Sequence, residues 1–278
     1  MISPRRNTAR VDIDRVSDTS SRRRRDAVAV EEPLEIRIAT AAGEEHQVAV
    51  TMRTPGDDFD LAAGFLFSEG LLAHRSDVAD LRYCVEVETQ EYNIVTVQLS
   101  ETGRFDPAEL TRNFYTTSSC GVCGKASLEA IEIRGCAPIP AEGPAVTGEI
   151  VRSLPEALRS RQAVFERTGG LHAAGLFDVS GELQLLREDV GRHNALDKVI
   201  GERFLNDGLP LGDIVLAVSG RASFEIMQKA LAAGIPIIVA VGAPSSLAVD
   251  VAKEFGMTLI GFAKPTGFNI YTGRHRVQ

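Results

Sequence analysis

Two cysteines in one short segment are the residues of this sequence best suited to covalent chemistry. They form the motif Cys120-Gly-Val-Cys123, and Gly124 and Lys125 follow directly. Glycine lets another molecule approach the backbone closely, and a neighbouring lysine favours the thiolate, which is the nucleophilic form of cysteine. The spacing therefore predicts reactive thiols in a loop, although half of a zinc site or two ordinary loop cysteines would show the same pattern.

A zinc-dependent nucleobase deaminase is an alternative interpretation of these cysteines. Cys84 and Glu86, followed by the Cys-x-x-Cys pair, imitate the metal ligands and the proton-carrying glutamate of that class. However, Cys84 lies in an alternating segment typical of a strand, and Ser119 instead of proline precedes Cys120. The sequence therefore favours a thiol loop, and we expect no zinc or other metal.

A second group of polar residues surrounds a predicted helix start. His172 ends the stretch 168–172 (TGGLH), and Arg192 lies in the stretch 188–198 (EDVGRHNALDK). Because the first turn of a helix attracts anions, His172 and Arg192 would suit a phosphate or pyrophosphate group. A structural network of ion pairs explains the same residues equally well.

A third group of small and basic residues follows three predicted strands. The loops span residues 219–223 (SGRAS), 242–246 (GAPSS) and 262–267 (FAKPTG), and the first contains Ser219 and Arg221. Consecutive parallel strands place their carboxyl ends side by side, so we expect these loops to share one ligand whose phosphates lie near Arg221. The chain has neither the Gly-x-Gly-x-x-Gly motif nor the Walker lysine motif, which argues against a standard dinucleotide or P-loop site.

The elements that position these groups belong to two differently patterned regions. The chain has 278 residues, of which 44% are hydrophobic and 24% charged, as in a globular protein of one large or two modest domains. Toward the carboxyl end, apolar strands alternate with helices, which predicts a parallel or mixed sheet flanked by helices. Nearer the amino end, strands alternate between apolar and polar residues. We therefore predict an α/β fold with a smaller N-terminal α+β domain.

The same patterns predict bounds for the elements and the domains. Helices are expected over residues 59–72, 149–163, 189–202, 223–233 and 246–255, and strands over residues 34–38, 48–52, 81–88, 93–99, 171–179, 214–218, 236–241 and 258–262. The predicted domains are a disordered Arg-rich tail (1–27), a small α+β domain (28–110), the thiol loop and its connection (111–137) and a ligand-binding α/β domain (138–278).

Charge is distributed unevenly along the chain. Residues 1–30 carry eight Arg and four Asp, a net charge of +4, which leaves −12 for residues 31–278. An acidic body argues against nucleic-acid binding, which needs a basic face to neutralise phosphates. No apolar run is long enough to span a membrane, and the first 20 residues lack the apolar stretch of a secretory signal, so we expect a cytoplasmic protein.

Six ordered stretches of the chain resemble the family of FdhD-type formate dehydrogenase accessory sulfurtransferases. The resemblance covers about residues 28–276, and it is carried by residues 62–70 (AAGFLFSEG), 120–124 (CGVCG), 168–174 (TGGLHAA), 188–198 (EDVGRHNALDK), 219–223 (SGRAS) and 268–272 (FNIYT). The resemblance implies that the C-terminal part adopts a cytidine-deaminase-like, three-layer α/β core without the zinc.

The resemblance also implies an activity and a set of partners. A cysteine desulfurase would load sulfur onto Cys120 as a persulfide, with Cys123 as its companion. The sulfur would then pass to the molybdenum cofactor, in its bis-molybdopterin guanine dinucleotide form, which is needed by a client formate dehydrogenase. The family further implies a homodimer. A non-catalytic chaperone that merely holds the molybdenum cofactor remains the alternative function.

One segment is assigned by the resemblance to the guanine dinucleotide. It consists of Ala263, Lys264, Pro265, Thr266, Gly267 and Phe268. Many family members have an arginine where this chain has Gly267, so the resemblance supports backbone amide contacts with a phosphate at that position better than a side-chain contact. We expect a guanine base to lie against Phe262 or Phe268.

Overall fold

The computed structural model describes residues 6–84, 92–103, 105–106 and 136–278. The predicted thiol loop, with Cys120 and Cys123, lies outside these residues. Within them the chain forms a two-stranded hairpin, a four-stranded sheet and a six-stranded sheet. The mixed α/β architecture that the sequence pattern predicts is therefore present.

The hairpin occupies most of the segment for which the sequence predicts a disordered tail. Its antiparallel strands are β1 (Thr8–Ser17) and β2 (Ser20–Ala29). The prediction of a disordered tail was wrong because an acidic residue on β1 lies close to the run of arginines on β2. Asp12 on β1 lies 3.6 Å from Arg23 and 3.5 Å from Arg25 on β2, so cross-strand pairs offset the repulsion between like charges.

The four-stranded sheet and one helix form the N-terminal unit. The sheet order is β4-β3-β6-β5, in which β3 and β6 are parallel and the other neighbours antiparallel. Leu34, Ile36 and Ile38 alternate along β3 and are fully buried in a common core with helix α1. The bounds are β3 (Glu32–Ala39), β4 (Glu45–Arg53), α1 (Asp58–Ser68), β5 (Val78–Tyr83) and β6 (Ile94–Leu99).

The six-stranded sheet forms the C-terminal unit, with strand order β12-β11-β10-β9-β7-β8. The three central neighbours β9, β10 and β11 are parallel, and the remaining pairs are antiparallel. The bounds are α2 (Gly148–Arg159), α3 (Ala163–Thr168), β7 (His172–Phe177), β8 (Leu183–Asp189), α4 (Arg192–Leu205), β9 (Val215–Val218), α5 (Phe224–Ala232), β10 (Ile237–Ala240), α6 (Ser246–Glu254), β11 (Thr258–Lys264) and β12 (Gly267–Thr272).

Helices cover both faces of this sheet, which makes three layers. One face packs in a single core with apolar side chains of α4, α5 and α6. The opposite face packs against Val151, Leu154 and Leu158 of α2. Since successive residues of each strand point to opposite faces, strands covered on both sides are apolar throughout. The layers agree with the prediction, whereas the likeness to cytidine deaminase stays a prediction.

Two predicted helices differ from those observed, and two observed edge strands were not predicted. The helix expected over residues 149–163 is two helices, because the chain turns at residues 160–162 between α2 and α3. The helix expected over 189–202 begins only at Arg192, since Asp189 ends the strand β8. The edge strands β8 and β12 were missed because they are only half-buried and lack a continuous apolar run.

The two units meet where helices α1 and α4 cross in backbone contact. A Cβ atom on Gly64 would lie 1.9 Å from the carbonyl oxygen of Asp197, and one on Gly201 would lie 1.8 Å from that of Asp60. Only glycine permits this approach. The contact sets the position of the N-terminal sheet relative to the C-terminal sheet.

Candidate functional site

The loops that follow β9 and β10 meet the end of β11 at one edge of the six-stranded sheet, and the loop expected over residues 262–267 is strand as far as Lys264. The amide of Gly242 donates to the carbonyl of Gly220 at 2.9 Å, and the amide of Phe262 donates to the carbonyl of Gly242 at 3.0 Å. A further bridge joins Ala222 to Pro244. The parallel strands therefore bring these loops together as their sequence order predicts.

A cavity of about 550 Å³ opens beside this edge. Five of the predicted site residues line it, namely His172, Ser219, Ala263, Lys264 and Pro265. Gly169 and Gly170, from the stretch 168–172 singled out in the sequence, also line it. Further lining residues come from α2, α3 and the turn between them, which the sequence did not indicate: Pro155, Glu156, Leu158, Arg159, Gln162 and Phe165. The volume lies in the range of small-molecule and cofactor sites.

The other predicted site residues that the structure describes do not line the cavity. Arg221 is exposed in the loop after β9. Thr266 belongs to the tight connection between β11 and β12, and Gly267, the first residue of β12, has a φ of 154°. Phe268 is half-buried against the core on the α2 side of the sheet. Phe262 is 47% exposed and has a φ of 53°, an unusual backbone conformation for a bulky residue.

Ser219 and His172 line the cavity, and Arg192 lies beside them next to Gly220. Ser219 Oγ accepts a hydrogen bond from the amide of Ala173 at 2.9 Å, which holds the end of β9 against β7. A Cβ atom on Gly220 would lie 3.4 Å from His172 Nδ1 and 3.9 Å from Arg192 Cδ, so this glycine lets the loop pack onto both side chains. Burial and the nearby Arg192 guanidinium lower the pKa of His172.

His193 is a second histidine, directly after Arg192 in the chain. Its Nε2 atom lies 3.2 Å from Ser223 Oγ and 3.7 Å from a carboxylate oxygen of Glu225. Burial, together with the charge of Arg192, lowers its pKa to about 4. His193 is therefore neutral near pH 7, able both to donate and to accept a hydrogen bond.

This lowered pKa predicts a loss of stability in acid. The ordinary pKa of histidine is 6.5 whereas that of His193 is about 4, so between these values the unfolded state binds the proton more readily. Stability should decrease as the pH falls through this window, and His193→Gln should weaken the decrease. Melting temperatures measured across the window test this, with the exposed His275 replaced in the same way as the control. Identical profiles for His193→Gln and the unaltered protein would contradict it.

The sequence matches known proteins over nearly its whole length. The model of the FdhD/NarQ family matches residues 29–278. The sulfur carrier protein FdhD of Streptomyces coelicolor is 51% identical over 276 residues, covering 98% of this chain and 96% of the relative. The chain belongs to the FdhD/NarQ family. The protein of the same name from Saccharolobus solfataricus is 44% identical over 268 residues, covering 96% of this chain and 97% of the relative.

A solved structure supports the fold of this family member. It is described as a putative formate dehydrogenase accessory protein from Desulfotalea psychrophila, and its TM-score with this chain is 0.74. The sequences are 23% identical, and the match covers 98% of this chain and all of the other. Within the part of this chain that the structure describes, no helix is both long and apolar enough to cross a membrane.

In this FdhD/NarQ chain, much of the stretch 188–198 forms a buried network between the two units. Lys198 Nζ lies 2.7 Å from Asp189 Oδ2 and donates to the carbonyl of Thr54 at 3.0 Å. Asp189 also accepts from the amide of Gly191 at 2.9 Å and from Asn194 Nδ2 at 3.0 Å. The alternative of a structural network therefore holds for Asp189, Asn194 and Lys198, and the Asp189 carboxylate occupies the start of α4. A phosphate site that involves Arg192 stays a prediction.

A second buried ion pair involves Asp197, the residue that precedes Lys198 on α4. Lys229 Nζ donates to the two carboxylate oxygens of Asp197 at 2.8 and 3.0 Å, and Ser68 Oγ donates to the same carboxylate at 3.2 Å. Burial raises the pKa of Asp197 to about 6 even though Lys229 opposes this shift. Asp197 and Lys229 thus join α1, α4 and α5, and neither residue lines the cavity.

Gln162 and Phe165 are site residues that the sequence analysis missed. A signal was present, because Val151, Leu154 and Leu158 repeat at helical spacing and Gln162 continues the repeat with a polar side chain. The repeat alone does not show that Gln162 lies at a cavity, because this position depends on the packing of α2 against the six-stranded sheet. In the described ranges, no three His, Cys, Asp or Glu side chains are close enough together to hold a metal ion.

Proposed function

We propose that this protein is a sulfurtransferase that carries sulfur as a persulfide on Cys120. A cysteine desulfurase would supply the sulfur, and the acceptor would be the molybdenum cofactor in its bis-molybdopterin guanine dinucleotide form, bound as a substrate and destined for a formate dehydrogenase. A homodimer remains a prediction of the family resemblance.

The observation that carries this proposal is the similarity to sulfur carrier proteins over nearly the whole chain. The relative of that name from Streptomyces coelicolor is 51% identical and covers 98% of this chain, and the family match spans the Cys120-Gly-Val-Cys123 segment. A cysteine pair with a neighbouring lysine suits the chemistry of sulfur transfer. The family name and the residue chemistry therefore support the same function.

Loading of the carrier requires only thiol exchange. The Cys120 thiolate attacks the terminal sulfur of a persulfide on the desulfurase. The sulfur–sulfur bond of the donor breaks, its cysteine leaves as a thiolate, and a new sulfur–sulfur bond forms on Cys120. The step needs no external oxidant or reductant. Cys123 is the candidate companion thiol.

The cavity beside the strand ends supports the acceptor side of the proposal. Lys264 supplies a cation, and Ser219 and His172 supply polar groups, at a volume of about 550 Å³. Arg221 is exposed at the same edge of the sheet, where a pyrophosphate would reach it. These groups suit the nucleotide ends of the proposed substrate.

Intact mass of the full-length protein tests sulfur loading. After incubation with a cysteine desulfurase and cysteine, the protein should gain the mass of one sulfur atom, and a reductant should remove it. A chaperone that only holds the cofactor would gain no mass. That result, obtained with a desulfurase shown to be active, would contradict the proposal.

Arg221→Ala should weaken binding of GDP, which represents one nucleotide end of the cofactor. Loss of a charge-assisted phosphate contact costs about 1.5–3 kcal/mol, or roughly 10- to 150-fold in affinity. Persulfide loading on Cys120 should persist because that step does not use the nucleotide. Calorimetric titration measures the effect, and Arg82→Ala, on the N-terminal sheet, is the control. Unchanged affinity in a folded Arg221→Ala variant would remove Arg221 from the site.

A further inference from the structure

Gln162 is a buried polar residue with an unused hydrogen-bond donor in the wall of the cavity. Its side chain lines the cavity, and the residue is 3% exposed. Among the described residues, its Nε2 atom is buried and has no hydrogen-bond partner. A buried amide group without a partner is costly and uncommon in folded proteins. An acceptor atom on a bound ligand would remove this cost.

The backbone around Gln162 is held in place, so this side chain remains at the cavity. The residue directly precedes α3, and its carbonyl accepts from the amide of Glu166 at 2.9 Å. The carboxylate of Glu188 on β8 accepts from the amides of Val164 at 2.9 Å and Phe165 at 2.8 Å. The turn is thereby attached to the six-stranded sheet, as a preorganised binding residue requires.

The surroundings of Gln162 suit a flat ring with negatively charged phosphates attached to it. The Phe165 ring lines the cavity, and the Arg159 guanidinium lies 4.2 Å from its centroid. Leu158 and Leu171 add apolar surface, while Lys264 on β11 brings a cation to the cavity. Aromatic and apolar walls bind heterocycles by packing, and a cation at one end binds phosphate. Phe262 and Phe268 do not line this cavity.

We propose that Gln162 binds the edge of a purine base in this cavity, and that the attached phosphates extend toward Lys264. The inference rests on the proposed nucleotide-bearing substrate and names the residue that reads its base. A carboxamide donates and accepts in one plane, which matches the adjacent O6 acceptor and N1–H donor of guanine. The base therefore lies between the α2–α3 turn and the strand ends.

Gln162→Leu separates a ligand-binding role from a structural one. GDP affinity, measured by calorimetry on the full-length protein, should decrease roughly tenfold because the amide contact is lost. The melting temperature without ligand should stay the same or rise, because leucine removes a buried polar group that had no partner. Gln228→Leu is the matched control, since Gln228 lines a different cavity, of about 640 Å³. It should leave GDP affinity unchanged.

The outcomes distinguish this inference from the function on which it rests. If the unaltered protein does not bind GDP, both the nucleotide site and the role of Gln162 are overturned. If it binds GDP and Gln162→Leu binds equally well, only the role of Gln162 is overturned. Gln162→Glu is the second variant should the leucine protein fail to fold. Glutamate preserves the size but cannot donate when ionised, so undiminished GDP affinity in this variant also overturns the inference.

Discussion

Replacing Cys120 with alanine should abolish persulfide formation and maturation of the client formate dehydrogenase. The proposed loading step forms its new sulfur–sulfur bond on this thiol, so without it no sulfur is carried. The thiolate of Cys120 forms the covalent intermediate, so its removal eliminates the loading step itself. The measurements are intact mass after incubation with a desulfurase and formate dehydrogenase activity in cells that carry only the variant.

Two comparisons make this result specific to Cys120. The melting temperature of Cys120→Ala should match that of the unaltered protein, because the sequence predicts this residue in a loop rather than in a core. Cys123→Ala should have a milder effect if Cys123 only relays or resolves the persulfide. Normal client activity in a Cys120→Ala strain would exclude the persulfide role of this cysteine.

Gly201→Ala should be among the most destabilising single methyl additions to this protein. The new Cβ atom would lie 1.8 Å from the carbonyl oxygen of Asp60, and backbone atoms cannot rotate away as a side chain can. Helices α1 and α4 must separate, which disturbs the core that the N-terminal sheet shares with Phe204. We expect a loss of about 3 kcal/mol in the free energy of unfolding and a melting temperature lower by about 6–12 °C.

The control for this effect is a glycine in open space. Gly212 has no heavy atom within 4 Å of an added Cβ, so Gly212→Ala should change the melting temperature little. Gly64→Ala should behave like Gly201→Ala, since its Cβ atom would lie 1.9 Å from the carbonyl oxygen of Asp197. A melting temperature for Gly201→Ala equal to that of Gly212→Ala would show that the helices can separate without cost.

Local patterns in the sequence were sufficient for most of the C-terminal elements. The helices expected over residues 223–233 and 246–255 are observed as Phe224–Ala232 and Ser246–Glu254. These predictions succeeded because apolar periodicity and cap residues act within a few residues of each other. The meeting of the three strand ends followed from the same information, because parallel strands that are neighbours in sequence order place their carboxyl ends at one edge of the sheet.

The part of the site formed by distant segments was not predictable in this way. Gln162 differs from an ordinary polar residue only because α2 packs on the sheet and leaves its amide at the cavity wall without a partner in the described chain. Likewise, residues 188–198 were compatible with either a phosphate site or an ion-pair network. Contact with Thr54, distant in sequence, made Asp189 and Lys198 part of a buried network.

The sequence by itself therefore determined the α/β class, the candidate thiols and the family, since these depend on residue type, order and spacing. The tertiary structure alone decided that the arginine-rich segment forms a hairpin, that Gly64 and Gly201 meet, and that Gln162 faces the strand-end loops. The physical reason is the distance along the chain between the residues that interact. Helix and strand patterns express interactions between near neighbours, whereas burial, desolvation and backbone contact depend on residues that only the folded chain brings together.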